Sequence, residues 1–206
     1  MTFYERTDAL IESVIEILQK KFNRLKGLLS VQDTDIGAQV TDLYKEFDEL
    51  VRDTLYGLAV QVYVDHDENG TGSELERWTK APLKEEWLDE ILEDYDPVSK
   101  YVYVNEIDRR RARLFEAIMG STTPADEVDA ALKSASLMYT IYAVRVTDEA
   151  AVRAMKDSGA TRVRWVAEDD IHTCRVCHKR DNNIYPIDEV PPKPHVNCRC
   201  WLVRYP

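Results

Sequence analysis

The sequence predicts a mainly α protein: a long helical hairpin or bundle as the body, then a small α+β module stapled by a bound metal. Three observations predict it. Apolar residues recur at helical spacing through most of the first 160 positions. Thr161-Arg162-Val163-Arg164-Trp165-Val166-Ala167 instead alternates polar and apolar, the period of a half-buried strand. All four cysteines and three of the four histidines then fall between Trp165 and Leu202. The chain accordingly reads as three regions: helical 1–95, helical 96–160 and a Cys/His-rich module at 161–206.

The first helix is expected over 4–29, where Ile11, Ile15, Leu18, Phe22, Leu25 and Leu29 form a seam of alternating fours and threes. Leu10, Val14, Ile17 and Leu28 widen it, which implies more than one buried face and suits a hairpin or an oligomer. Thr2 and Glu5 have capping-box spacing. After Gln32-Asp33-Thr34-Asp35, a second helix is expected over 36–64, with Val40, Tyr44, Phe47, Val51, Leu55, Leu58 and Val62 inward. The short connection favours an antiparallel pair.

The next segment, from Asp65 to Glu76, fits a calcium loop: Asp65, Asp67 and Asn69 as early oxygens, Gly70 at the turn and Glu76 as the twelfth ligand. Gly72 stands where such loops usually carry an apolar residue, and no second loop exists to pair with it. The plainer reading is a solvated acidic turn.

Pro82 opens a helix running to about Tyr95, with Leu83, Trp87, Ile91 and Tyr95 on one face. Tyr101-Val102-Tyr103-Val104 reads as a short strand or extended loop. A helix over 105–119 follows, with Ile107, Leu114, Phe115 and Ile118 inward and Arg109, Arg110, Arg111 and Arg113 on a solvated face. Pro124 starts another, reaching about Val146 through Leu132, Ala135, Met138, Tyr139 and Tyr142. Thr147 then reads as the cap of a separate helix over 148–156.

Composition and charge exclude several classes. The chain has 206 residues, 44% hydrophobic and 32% charged, enough to bury a core without covalent staples. No run is long and apolar enough to span a bilayer, and the first residues lack a charged-then-apolar leader. The thiols are therefore expected in a reducing compartment, where paired cysteines more often hold metal than form disulfides. From 151 onward there are 10 Lys and Arg against 7 Asp and Glu, net +3, so the preceding residues carry −14 of the total of −11. Such an acidic body disfavours non-specific binding of nucleic acid by the whole chain.

The C-terminal module carries the chemistry. Cys174-x-x-Cys177 points two sulfurs at one place, and Cys198-x-Cys200 follows with His195 just upstream. Two such pairs supply the tetrahedral soft ligands that zinc prefers, from Cys174, Cys177, His195, Cys198 and Cys200. The intervening turn-forming segment has few core residues, so metal-binding energy would serve as folding energy. Two other uses are open: a zinc-knuckle module contacting nucleic acid through Arg162, Arg164, Arg175, Lys179, Arg180 and Arg199, or a zinc-dependent hydrolase or deaminase. The deaminase pattern needs His-x-Glu with Pro-Cys-x-x-Cys. Here His66-Asp67-Glu68 is far upstream and Thr173 replaces the proline.

The order Trp165, Asp170, Thr173-Cys174-x-x-Cys177, Tyr185, Pro191-Pro192 and His195-x-Asn197-Cys198-Arg199-Cys200 resembles the C-terminal signature of tailed-phage minor head proteins, the Mu F-like head morphogenesis family. Trp165, Asp170 and Arg199 are its framework positions. Val196 stands where the family commonly has proline, and Arg145-x-Thr147-x-Glu149 loosely resembles an Arg-Thr-Glu element upstream. The specific match covers 161–202. The resemblance implies a virion or procapsid component present in few copies and assembled in the host cytoplasm; some family members carry fused enzyme domains, but the helical body leaves no room for one, so a non-enzymatic protein is expected. The resemblance further implies association with portal protein or major capsid protein and a role in head assembly and in DNA packaging or ejection; contact with DNA is expected only through the basic residues of the module, and the lack of an apolar span leaves no membrane contact expected.

Overall fold

The computed structural model describes residues 3–32, 34–67, 73–168, 173–195, 198 and 200–206. The chain is mainly helical, with seven helices and two small sheets among these residues. No helix among them is long and apolar enough to cross a membrane. Contacts divide the chain into two compact units: Met1–Thr54, Asp89–Asp96 and Lys100–Thr140 form one, and Leu55–Leu88, Pro97–Ser99 and Ile141–Pro206 the other. The region expected at 161–206 falls within the second.

The first unit is built on α1 (Phe3–Leu28) and the beginning of α2 (Ile36–His66). Asp35 starts α2 by accepting the Ala38 amide at 3.0 Å, satisfying a helix-end donor that would otherwise be orphaned. Ile11, Val14, Leu18, Phe22 and Leu25 are buried, as are Val40, Tyr44, Phe47 and Val51. Phe22, Tyr44 and Phe47 meet edge to face at centroid distances of 6.3 and 6.1 Å. Ion pairs Lys21–Glu46 (2.5 Å) and Lys26–Asp129 (2.6 Å) flank the apolar contacts. The wider seam expected on α1 is realised only at Val14: Leu10 and Ile17 are 45% and 38% exposed. They lie off the stripe that Ile11, Val14, Leu18, Phe22 and Leu25 present, so one face is buried. Thr2 lies outside the described residues.

The same unit contains α5 (Tyr103–Gly120), which begins directly after a two-stranded hairpin, β1 (Tyr95–Asp96) with β2 (Tyr101–Val102). The helix expected to reach Tyr95 is shorter: α4 is Glu85–Glu93, and Tyr95 is an exposed strand residue paired with Val102. On α5, Leu114 and Ile118 are buried but Phe115 is exposed; the inward set includes Tyr103 and Glu106 instead. Buried Glu106 explains the arginine run. Arg109 (2.8 Å) and Arg110 (3.3 Å) both pair with it, and Arg111 pairs with Asp108 (3.1 Å). Most of that basic face is thus neutralised within its own helix.

In the second unit, α3 (Glu74–Lys80) occupies a segment expected to be loop. Ser73 and Glu76 form a capping box: the Ser73 hydroxyl accepts the Glu76 amide, and the Glu76 carboxylate accepts the Ser73 amide at 2.8 Å. Arg77 reaches back to the end of α2, donating to the carbonyls of Val64 and Asp67. The two helices expected on either side of Thr147 are one, α6 (Pro124–Asp157). Thr147 caps nothing: its hydroxyl donates to Val144 O at 2.8 Å, the back-bonding by which a mid-helix threonine satisfies itself. The helix ends at Gly159 (φ +83°), where Gly159 N donates to Lys156 O and Ala160 N to Met155 O, a Schellman arrangement. Tyr63 donates to Asp157 at 2.8 Å near that end; burial first, then the carboxylate, hold its phenol protonated.

Candidate metal centre

The centre sits on a three-stranded antiparallel sheet of order β4-β3-β5. The strands are β3 (Arg162–Val166), β4 (Ile184–Pro186) and β5 (Trp201–Tyr205). The alternation read from the sequence is realised: Val163 and Trp165 are buried, Arg162 and Arg164 exposed. Because Trp165 pairs with Leu202 and Val166 with Trp201, the chain entering β5 lies beside the chain leaving β3. Just before β5, Cys198 and Cys200 come together with Cys177.

Cys174 is the N-cap of a short helix, α7 (Arg175–Arg180), and its sulfur accepts the Cys177 amide at 3.4 Å. One helical turn therefore aims both sulfurs the same way, with Sγ–Sγ 3.4 Å. The second half arrives through a turn in which the Cys198 amide donates to His195 O at 3.3 Å. Cys177 Sγ lies 3.5 Å from Cys198 Sγ and 3.7 Å from His195 Nε2. Two overlapping groups of potential ligands result, Cys174–Cys177–His195 and Cys177–Cys198–Cys200, with donor atoms within 4.8 Å of one another in each. Cys177 belongs to both. No disulfide forms; all four thiols are free.

Electrostatics favours an incoming cation. Burial pushes the Cys177 and Cys198 thiols up, and neighbouring sulfurs push Cys177 further. The Cys174 thiol is pulled below its usual value by the Cys177 amide, as expected of a sulfur capping a helix N-terminus. Packed sulfurs of this kind ionise together only when a metal supplies positive charge, and thiolate and imidazole donors select soft or borderline ions over calcium or magnesium. The five residues are close enough to bind such a metal.

Trp165 packs against residues that adjoin the cluster in sequence. Arg180 and Lys193 stand 5.0 and 5.7 Å from its ring centroid, and Tyr185 packs edge-on at 6.5 Å. Arg180 donates to Pro192 O at 2.6 Å, while Lys193 donates to Cys200 O and pairs with Asp148 at 3.4 Å. The proline-rich segment is thereby pinned over the indole and tied to the second ligand pair. Sequence reasoning missed Lys193, since one lysine among prolines has no periodicity to mark it. The Asp181 carboxylate accepts the Ala167 amide at 2.8 Å, and Asn182 (φ 61°) makes the tight turn into β4. Exposed His178 belongs to neither ligand group. Asp170, His172, Asn197 and Arg199 lie outside the described residues.

Three of the calcium-loop ligand residues are described. Asp65 is in the last turn of α2, Asp67 accepts the Ser158 hydroxyl at 3.4 Å, and Glu76 is committed to the α3 capping box. Asn69 lies outside the described residues, among which Asp65, Asp67 and Glu76 join no group of three ligands. Against known proteins the chain gives no significant match: no family model, no curated protein and no solved structure.

Proposed function

We propose that this chain is a structural, non-enzymatic minor head protein of a tailed phage or prophage, with a C-terminal module stapled by zinc. The observation carrying the reading is the meeting of the motif's two halves, Cys174-x-x-Cys177 and His195 with Cys198-x-Cys200, in one largely buried cluster. Zinc fits the geometry. A Zn–S bond of about 2.3 Å implies tetrahedral S–S edges of about 3.8 Å and S–N edges of about 3.6 Å. The separations of 3.4, 3.5 and 3.7 Å lie within a few tenths of an ångström of these. It fits energetically too: closing the 21-residue span from Cys177 to Cys198 costs about 3 kcal/mol of chain entropy, against roughly 10 kcal/mol or more from structural zinc. Five thiol and imidazole donors for four positions leave no open site for water or substrate, which favours a staple over a catalyst.

In this reading the protein assembles in the host cytoplasm, docks in several copies to portal protein or major capsid protein, and travels in the virion. It serves head assembly and DNA packaging or ejection. Exposed Leu10 and Ile17 on α1, and Phe115 and Met119 on α5, offer apolar contacts for such docking. Two measurements test the separate parts. Co-expression with portal and capsid proteins, followed by mass spectrometry of purified particles, is expected to find the chain at low copy number. Its absence from particles, together with no portal binding, overturns the head assignment. Elemental analysis with thiol titration is expected to find one zinc and protected thiols; four reactive thiols and no metal overturn the staple.

A further inference from the structure

The sheet that positions the metal ligands has a second face, and nothing in the staple uses it. Strand register divides the side chains. Val163, Trp165 and Leu202 point to the buried side, while Arg162, Arg164, Ile184, Trp201, Val203 and Tyr205 share the other. All six of the latter are exposed or half-buried. The Arg162 guanidinium stacks on Tyr205 at 5.1 Å, a cross-strand contact that fixes both groups on this face, and it also donates to Pro206 O at 2.6 Å. Arg164 is exposed and has no ion-pair partner among the described residues. Of the three arginines in the strand segments RVRWV, IYP and WLVRY, Arg162 and Arg164 lie on this face, while Arg204, opposite Val163, lies on the other; the segments contain no carboxylate, in a chain of net charge −11.

We infer that this open face binds a segment of single-stranded nucleic acid. The occupant follows from what the face combines. Arginines without carboxylates complement phosphate, and two aromatic rings at opposite ends of β5 provide stacking surfaces for unstacked bases. The rings stand about 13 Å apart along the strand, at roughly 3.3 Å per residue. A duplex keeps its bases stacked and would leave both rings unused, and an acidic peptide would use the arginines alone. The site is distinct from the helical cysteine knuckle and does not depend on the head-protein reading. Arginine–phosphate contacts release counterions, so binding is expected to weaken as salt rises.

The test is fluorescence anisotropy of a labelled twelve-residue oligothymidylate with the full-length protein, from 50 to 200 mM salt. A duplex of equal length and an oligoglutamate peptide serve as competitors. Single strand is expected to bind in preference to both. Arg164→Ala is expected to reduce the salt slope by about 0.7, the loss of one phosphate contact to a single strand. Tyr205→Leu keeps apolar bulk but removes a ring, and is expected to weaken binding roughly tenfold. Metal content and thermal midpoint, measured on both variants, separate a lost contact from a lost fold. No binding by the parent chain, equal binding of duplex, preference for oligoglutamate, or folded variants with unchanged affinity and slope would each overturn the inference.

Discussion

Cys177 is the residue on which the candidate metal centre turns, because both groups of potential ligands contain it. Cys177→Ser, which breaks both groups, is expected to abolish stoichiometric metal binding, whereas His195→Ala or Cys200→Ser, one at a time, leaves one group intact and only reduces affinity; metal content per chain after gel filtration distinguishes these outcomes. Asp148 supplies a pH signature. Burial raises its carboxyl from 3.8 to about 6, with Lys193 pulling the other way. Its folded pKa exceeds its unfolded one, so the folded state binds the extra proton between those values. Its contribution to stability therefore falls as pH rises from about 4 to about 6. Relative to Asp148→Asn, the parent chain should lose stability across that window, read as the difference in urea midpoints. The ligand residues were legible in the sequence because cysteine spacing is chemical information. Asp148 and Lys193 were not, since their pairing depends on where a proline-rich segment settles against α6.

Individual helices show where periodicity suffices and where it misleads. The inward stripe of α2 follows its apolar spacing, and every one of its seven expected positions is buried. The break expected at Thr147 did not occur: a threonine before an aspartate has the composition of a cap, but burial of Val146, Ala150 and Ala154 carries the helix through. Ser73-x-x-Glu76 shows a signal left unread: it is a helix start, and taking the segment as an acidic turn passed over α3. The Schellman end of α6 rests on Gly159 in the left-handed region. Gly159→Ala puts a side chain where L residues are disfavoured, though no neighbouring atom lies within 4 Å of the new Cβ. The expected cost is about 1 kcal/mol of backbone strain, measurable as a lowered urea midpoint with unchanged helical content.

At the scale of the whole molecule, the chain mixes two means of stabilisation. Most buried apolar residues are on helices, including Leu18, Phe22, Phe47, Leu55 and Tyr142, whereas the sheet module buries few and adds four cysteines. Chelation should therefore act locally: circular dichroism at the helical band persists while Trp165 fluorescence shifts and amide protection in β3 and β5 disappears. Global loss of helix on chelation would contradict this division. Strand order also imposes a sequence in time. β3 is the central strand, yet both of its partners come after it in the chain, and β5 is joined directly to the second ligand pair. A nascent chain that has emerged only as far as His195 has a central strand without one neighbour and a knuckle without two of its sulfurs. A metal held by these residues would thus be captured late, closing the module only after the helices have had time to fold.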